Sequence, residues 1–234
     1  MTDNPIIIAL DFDSAGEARK IVKLLGPLAD FYKVGLELYT AAGMDIVREL
    51  LDMGKDVFLD LKLYDIPETV KRTVAVVART RVRFLTIHAV GSVMRAALQG
   101  CQGSELRLLA VTVLTSFGPD DLLELGYDRP VADLVETRAV QARDAGIRGI
   151  VTSPREAAIV RGVVGPDTVI VTPGVRSAGR DAADQQRIST PAEAMRHGAD
   201  YLVMGRQITR AADPAAELAR VREEINAGLK ALAG

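Results

Sequence analysis

Cysteine is nearly absent: Cys101 is the single one, which excludes an internal disulfide and a cysteine-based metal cluster. A lone thiol of this kind is ordinarily a small packing residue. Tryptophan is missing and aromatics make up only 4% of 234 residues, too few for the stacking platform that single-stranded nucleic acid requires. Neither sign of charge is in excess, since 29 Lys+Arg stand against 31 Asp+Glu for a formal charge of −2, and nothing in that balance suggests a polyanion. Nucleic acid is therefore not an expected partner. Long apolar stretches are lacking too. The first, Ile6 to Leu10, is only five residues, too short for a signal h-region or a membrane span, so the expectation is a cytoplasmic protein with no membrane partner. Low-complexity segments, Pro- or Ser-rich linkers and single-sign charge blocks are also absent, which leaves no place for a domain boundary.

What is present is enough apolar residue, 48%, to fill a core at a length where one core still grows without splitting. A single domain over residues 1–234 is expected. Eight short runs rich in Ile, Val and Leu recur along the chain: Ile6 to Leu10, Phe31 to Leu36, Val57 to Leu63, Phe84 to Ala89, Leu106 to Leu114, Gly149 to Thr152, Thr168 to Thr172 and Tyr201 to Met204. Continuous apolar runs are how strands buried on both faces look. Helical patterns lie between them, among others Ala15 to Leu25, Tyr39 to Met53, Pro67 to Arg79, Val131 to Ala145 and Ala192 to His197, with Pro214 to Leu232 at the end. Ser14 with Glu17, and Thr190-Pro191 with Glu193, read as helix starts, and Ser153-Pro154 with Glu156 repeats the pattern. Gly26, Gly54, Gly146 and Gly198 stand where helices should stop. This alternation predicts an α/β fold, a (β/α)8 TIM barrel. A doubly wound open sheet is the alternative, but Asp11-Phe12-Asp13-Ser14 after the first run is not the Gly-rich turn such a sheet usually carries.

In a barrel the chemistry belongs at the C-terminal ends of the strands. The runs end in Asp11, Lys33, Asp60 with Lys62, His88, Thr115, Ser153, Arg176 and Gly205-Arg206. Taken singly, several have ordinary explanations: Asp11 as a cap for the first helix, His88 as a satisfied core or loop histidine, Ser153 as an N-cap. The third run resists this. It reads Asp56-Val-Phe-Leu-Asp60-Leu-Lys62-Leu-Tyr64-Asp65-Ile66-Pro67, and alternation puts Asp60 and Lys62 on one face with Leu59, Leu61 and Leu63 on the other. Asp65 lies past the strand, where on its own it reads as a cap for the helix at Pro67. Lys33, ending the neighbouring run, supplies Asp60 with a second cation, and a buried charge needs such pairing. A Lys-Asp-Lys array can keep a lysine protonated in a cleft, ready to deliver a proton to carbon; the alternative is a purely structural ion-pair network. Across the mouth, Thr172-Pro-Gly-Val-Arg176 and Val203-Met-Gly205-Arg206 end the seventh and eighth runs, where barrels often hold phosphate. Gly205 would let the backbone approach such a ligand closely.

Together, Asp60-x-Lys62-x-x-Asp65-Ile66-Pro67, Lys33 within Tyr-Lys-Val-Gly, Leu114-Thr115-Ser116, Thr-Pro-Gly-Val-Arg176, Asp184-Gln185 and Met-Gly205-Arg206 strongly resemble the bacterial orotidine 5′-phosphate decarboxylase family, from about Ile6 to Thr209. The resemblance implies decarboxylation of orotidine 5′-monophosphate to uridine 5′-monophosphate, the last step of de novo UMP synthesis, without metal or organic cofactor, in a homodimer with composite sites. It implies that Lys62 protonates C6, that Asp60 stands beside the substrate carboxylate, and that Lys33 binds ribose hydroxyls and holds the array. Asp65 and Thr69 would reach into the partner's site, Asp11 would contact ribose, Thr115 the pyrimidine amide, and Arg176, Gln185, Gly205 and Arg206 the phosphate end. Closure of the 176–185 loop over the phosphate is implied as well, with Ser177, Ala178 and Gly179 reading as mobile. Thr80-Arg81-Val82-Arg83 departs from the family's usual Gly-containing turn, and 91–105 is short for its segment; both lie away from the chemistry. Two rivals stand beside this reading. One is a metal-dependent phosphosugar decarboxylase or aldolase sharing Asp-x-Lys-x-x-Asp, in which a carboxylate is expected where this chain has Lys33. The other is a catalytically silent phosphate-binding barrel.

Overall fold

The apolar runs form strands and the patterned segments form helices, with one or two helices after each strand. A computed structural model describes residues 4–178 and 189–230. Its strands are β1 (Ile6–Ala9), β2 (Phe31–Gly35), β3 (Asp56–Leu63), β4 (Phe84–His88), β5 (Arg107–Val111), β6 (Gly149–Val151), β7 (Val169–Thr172) and β8 (Tyr201–Met204). They pair in sequence order, all parallel, and β8 closes on β1 with Ile6 opposite Leu202 and Ile8 opposite Met204. The fold is a (β/α)8 barrel. Around it run α1 (Ala15–Leu25), α2 (Leu36–Asp52), α3 (Pro67–Val77), α4 (Gly91–Gly100), α5 (Pro119–Glu124), α6 (Val131–Ala145), α7 (Ala157–Val164), α8 (Pro191–Arg196), α9 (Arg206–Thr209) and α10 (Pro214–Lys230). No helix among the described residues is long and apolar enough to cross a membrane.

Helix starts follow local chemistry. Ser14 accepts from the Glu17 N–H, and Thr190 with Glu193 forms a reciprocal capping box. Ser153 does not cap: α7 begins only at Ala157, and the Ser153 hydroxyl donates instead to the Glu156 carboxylate. The expected cap at Asp65 is also absent, because its Oδ1 accepts from the adjacent Ile66 N–H while α3 starts at Pro67 with no side-chain cap. The helix expected from Tyr39 starts earlier, at Leu36, and breaks at Gly43, whose φ of 60° and ψ of −153° are not helical. Leu106 to Leu114 is only partly a strand: β5 stops at Val111, and the rest of the run carries Leu114 and Thr115 over the barrel mouth.

Two apolar layers hold the barrel. Outward-facing strand residues such as Ile8, Leu59 and Leu85 pack with the helices, and inward-facing ones such as Ile7, Phe31, Phe58 and Phe84 fill the interior. Four of the ten aromatics lie in the interior. Phe31, Phe58, Phe84 and Tyr201 stack edge-on or tilted with centroids 5.2 to 6.1 Å apart. Arg83 lies over three of these rings at 5.2 to 5.5 Å, donates to the Tyr201 hydroxyl at 2.7 Å and pairs with Asp56. The unusual turn before β4 therefore closes the N-terminal end of the barrel.

Candidate active site

The inward face that carries Phe31 in β2 and Phe58 in β3 carries Lys33 and Asp60 two residues later, so strand alternation lifts one cation and one carboxylate into the mouth. Both are only 8% exposed. Lys33 Nζ lies 2.7 Å from Asp11 Oδ1 and 3.7 Å from Asp60 Oδ2, and Lys62 Nζ lies 2.8 Å from the same Asp60 oxygen. The result is an alternating row, Asp11, Lys33, Asp60, Lys62. Asp11 is thus bound to Lys33 instead of capping α1, a pairing that sequence reasoning missed. Its signal was available in the register, which sets Ala9 opposite Lys33.

Burial pushes the Asp60 carboxyl up, but Lys33 and Lys62, with hydrogen bonds from Lys62 and Thr86, hold it below the usual carboxylate range. Burial likewise works against the Lys33 ammonium, yet Asp60 and Asp11 together hold it above the usual lysine range. Asp60 therefore contributes stability that is complete above about pH 4 and lost as pH falls through its native pKa; Lys33 contributes stability that is complete below about pH 10 and lost as pH rises through its native pKa. We expect the wild-type Tm to fall more steeply above about pH 10 than that of Lys33→Met, which lacks the titrating group. Equal slopes in thermal melts would contradict a native ammonium at Lys33.

Two residues outside the expected set build this row. Gly35 faces Asp60 in the β2–β3 ladder, and a Cβ there would stand 2.8 Å from Lys33 Nζ and 3.3 Å from Asp11 Oδ1. A side chain there would shift the Lys33 ammonium from its place in that pair. Thr86 of β4 donates to Asp60 Oδ1 at 2.9 Å and accepts from the Lys62 N–H at 2.9 Å. Its place in Phe84-Leu-Thr86-Ile-His88, on the inward parity of Phe84, was the available signal.

Across the mouth, Thr115, Ser116, Gly174, Arg176, Gly205 and Arg206 line the same cleft as the charge row, with a volume of about 360 Å³. That is within the range of small-molecule sites. A Cβ on Gly205 would meet Ala9 at 3.5 Å and Asp11 at 3.8 Å, both ordinary contacts, so protein packing alone does not demand glycine there. Its absence widens the cleft. Ser177 is hydrogen-bonded on every side: its N–H donates to Gln207 Oε1 at 3.0 Å, its hydroxyl donates to Glu224 at 2.6 Å and accepts from Gln207 and Arg220, both at 2.8 Å. Gln207 directly follows Arg206, so this network ties the two arginine-bearing segments together. Gly179, Asp184 and Gln185 lie outside the described residues.

The remaining candidates sit elsewhere. Asp65 and Thr69 do not line the main cleft; with Lys62 and Tyr64 they line a separate depression of about 240 Å³. His88 stacks on Tyr64 with centroids 5.4 Å apart and faces a neighbouring hollow with Phe117, Tyr127 and Arg138. Burial, with the charges of Arg138 and Lys62, holds it below the usual imidazole range. Ser153 is buried against Glu156 and also misses the cleft.

A closed (β/α)8 barrel whose mouth sets a row of alternating charges, buried at Lys33 and Asp60, against two arginines defines a class: the barrel enzymes that carry a polar site at the C-terminal ends of their strands. Comparison with known proteins narrows this. Residues 4–221 match the model of the orotidine 5′-phosphate decarboxylase / HUMPS family. An orotidine 5′-phosphate decarboxylase from Methylobacterium sp. (strain 4-46) is 52% identical over 223 residues, covering 94% of each chain. One from Bradyrhizobium sp. (strain ORS 278) is 50% identical over 220 residues, covering 94% of this chain and 90% of that protein. The crystal structure of orotidine 5′-phosphate decarboxylase from Lactobacillus acidophilus superposes with a TM-score of 0.82 at 36% identity, covering 96% of this chain and 100% of its own. The chain belongs to the orotidine 5′-phosphate decarboxylase / HUMPS family.

Proposed function

We propose that this enzyme converts orotidine 5′-monophosphate to uridine 5′-monophosphate and carbon dioxide, the last step of de novo UMP synthesis, as a single barrel domain needing no metal or organic cofactor. The observation that carries the reading is the Asp11, Lys33, Asp60, Lys62 row facing Arg176 and Arg206 across one cleft. The arginines, with Gly205 and Gln185, take the phosphate; Thr115 takes the pyrimidine amide; Asp11 and Lys33 meet the ribose. The substrate carboxylate then comes to lie beside Asp60, and C6 beside Lys62.

The chemistry needs this arrangement. When the C6–carboxylate bond breaks, carbon dioxide leaves and the electron pair stays on C6, with no adjacent π system to accept it. Fixed charge must stabilise the carbanion. Unit charges about 4 Å apart interact by about 4 kcal/mol at an effective dielectric near 20, so an ammonium already held at C6 lowers the barrier as the negative charge localises there. Lys62 then transfers its proton to C6 and is reprotonated from solvent.

Asp65 and Thr69 are assigned to the site of a second copy. The support is their position outside this chain's cleft, with Asp65 between Tyr64 and Ile66, which are 68% and 67% exposed and suit an interface between chains. The metal-dependent phosphosugar reading is disfavoured by the Lys33 ammonium, which stands between Asp11 and Asp60 where a divalent cation would require oxygen ligands. Incubation with orotidine 5′-monophosphate should bleach the orotate absorbance with release of one carbon dioxide per UMP, and orotidine without phosphate should turn over far more slowly. Conversion of a phosphosugar acid but not of orotidine 5′-monophosphate would refute the assignment.

A further inference from the structure

We infer that Thr86 is the positioning residue that holds Asp60 and Lys62 in their reactive geometry, through a single buried hydroxyl that serves both. The inference rests on the reading of those two residues given above. Thr86 is 0% exposed and sits on β4 beside the one irregularity in the β3–β4 ladder. Pairing runs Phe58 with Phe84 and Leu59 with Leu85, and next resumes at Leu63 with Ile87. Four residue steps on β3 thus match two on β4, so β3 bulges across the segment that carries Asp60 and Lys62. Bulges of this kind re-aim side chains and leave ladder groups unpaired. Lys62 itself has φ 48°, the single non-glycine residue with positive φ among those described. Such a conformation persists at a functional site only where the surroundings hold it.

The Thr86 hydroxyl does that holding. It accepts from the Lys62 N–H at 2.9 Å, replacing a ladder partner that the bulge removes, and donates its proton to Asp60 Oδ1 at 2.9 Å. Asp60 Oδ2 is thereby left to face Lys62 Nζ and Lys33 Nζ. A hydroxyl has one proton to give, and here it is committed to the carboxylate, so both the turn of the backbone at Lys62 and the rotation of Asp60 are set from the same atom. Valine matches threonine in shape but can do neither.

Kinetics of Thr86→Val, Thr86→Ala and Thr86→Ser with orotidine 5′-monophosphate test this. Thr86→Val, or Thr86→Ala if the valine variant does not fold, should lose about 10- to 100-fold in kcat with KM within about threefold, because a misplacement near 1 Å at the reacting atoms costs on that order. Thr86→Ser should recover kcat to within about threefold of wild type even if its Tm is lowered. A hydroxyl-free variant with wild-type kcat, or losses in which Ser fares no better than Val and activity simply tracks Tm, would overturn the inference. A wild type inactive on this substrate would instead overturn the functional reading beneath it.

Discussion

Lys62→Ala should lose turnover by at least about 10⁴-fold while its affinity for UMP stays within about tenfold of wild type. Two contributions disappear together. Removing a positioned general acid typically costs about 10² to 10⁴, and removing a preorganised charge about 10² to 10³. Neither is needed to bind a product that already carries hydrogen at C6. The residues proposed to hold UMP, Arg176, Arg206 and Thr115, line the cleft from other segments of the barrel mouth than the one that carries Lys62. Asp60 keeps Lys33 at 3.7 Å and Thr86 at 2.9 Å in this variant, so the buried carboxylate is not stranded and the fold should survive. Isothermal titration with UMP and single-turnover assays separate the two quantities. A parallel loss of affinity and rate would assign Lys62 a binding role instead of an electrostatic one.

The second large effect is a recovery. Lys62→Ala and Asp65→Ala should each be inactive alone, and their 1:1 mixture, once subunits have exchanged, should regain about a quarter of wild-type activity. The fraction follows from closed twofold symmetry: about half of the dimers are hybrids, and each hybrid has one site with native Lys62 from one chain and native Asp65 from the other. The second site of the hybrid carries both lesions. The geometry behind this expectation is that Asp65 lines a depression apart from the main cleft while Lys62 lines both. No recovery, with exchange verified by a tagged subunit, would place each site within one chain.

Much of this site was legible before any coordinates, and the reason is local periodicity. Phe58, Asp60 and the outward Leu59, Leu61 and Leu63 obey the two-residue repeat of a strand, so the inward carboxylate could be read directly. The run-end rule found Lys33, Thr115, Arg176 and Arg206 for the same reason. What escaped depends on register and on irregular backbone. The Asp11–Lys33 pair requires knowing that Ala9 lies opposite Lys33, and the role of Gly35 appears only when a Cβ is placed against Lys33 Nζ. The inward parity of Thr86 was legible from Phe84, but its bond to Lys62 was not, because a bulge invisible to periodicity swings Lys62 onto it. The partners of Ser177 were not legible either, because Gln207, Arg220 and Glu224 lie 30 to 47 residues away in sequence.

The central claim is that fixed protein charge, with no metal, replaces a carboxylate by a proton at C6. Its most direct test is product analysis by NMR after chelator-treated enzyme has acted on orotidine 5′-monophosphate in D₂O. The account predicts undiminished conversion to UMP carrying deuterium at C6. Conversion that appears only when Mg²⁺ is restored would contradict it.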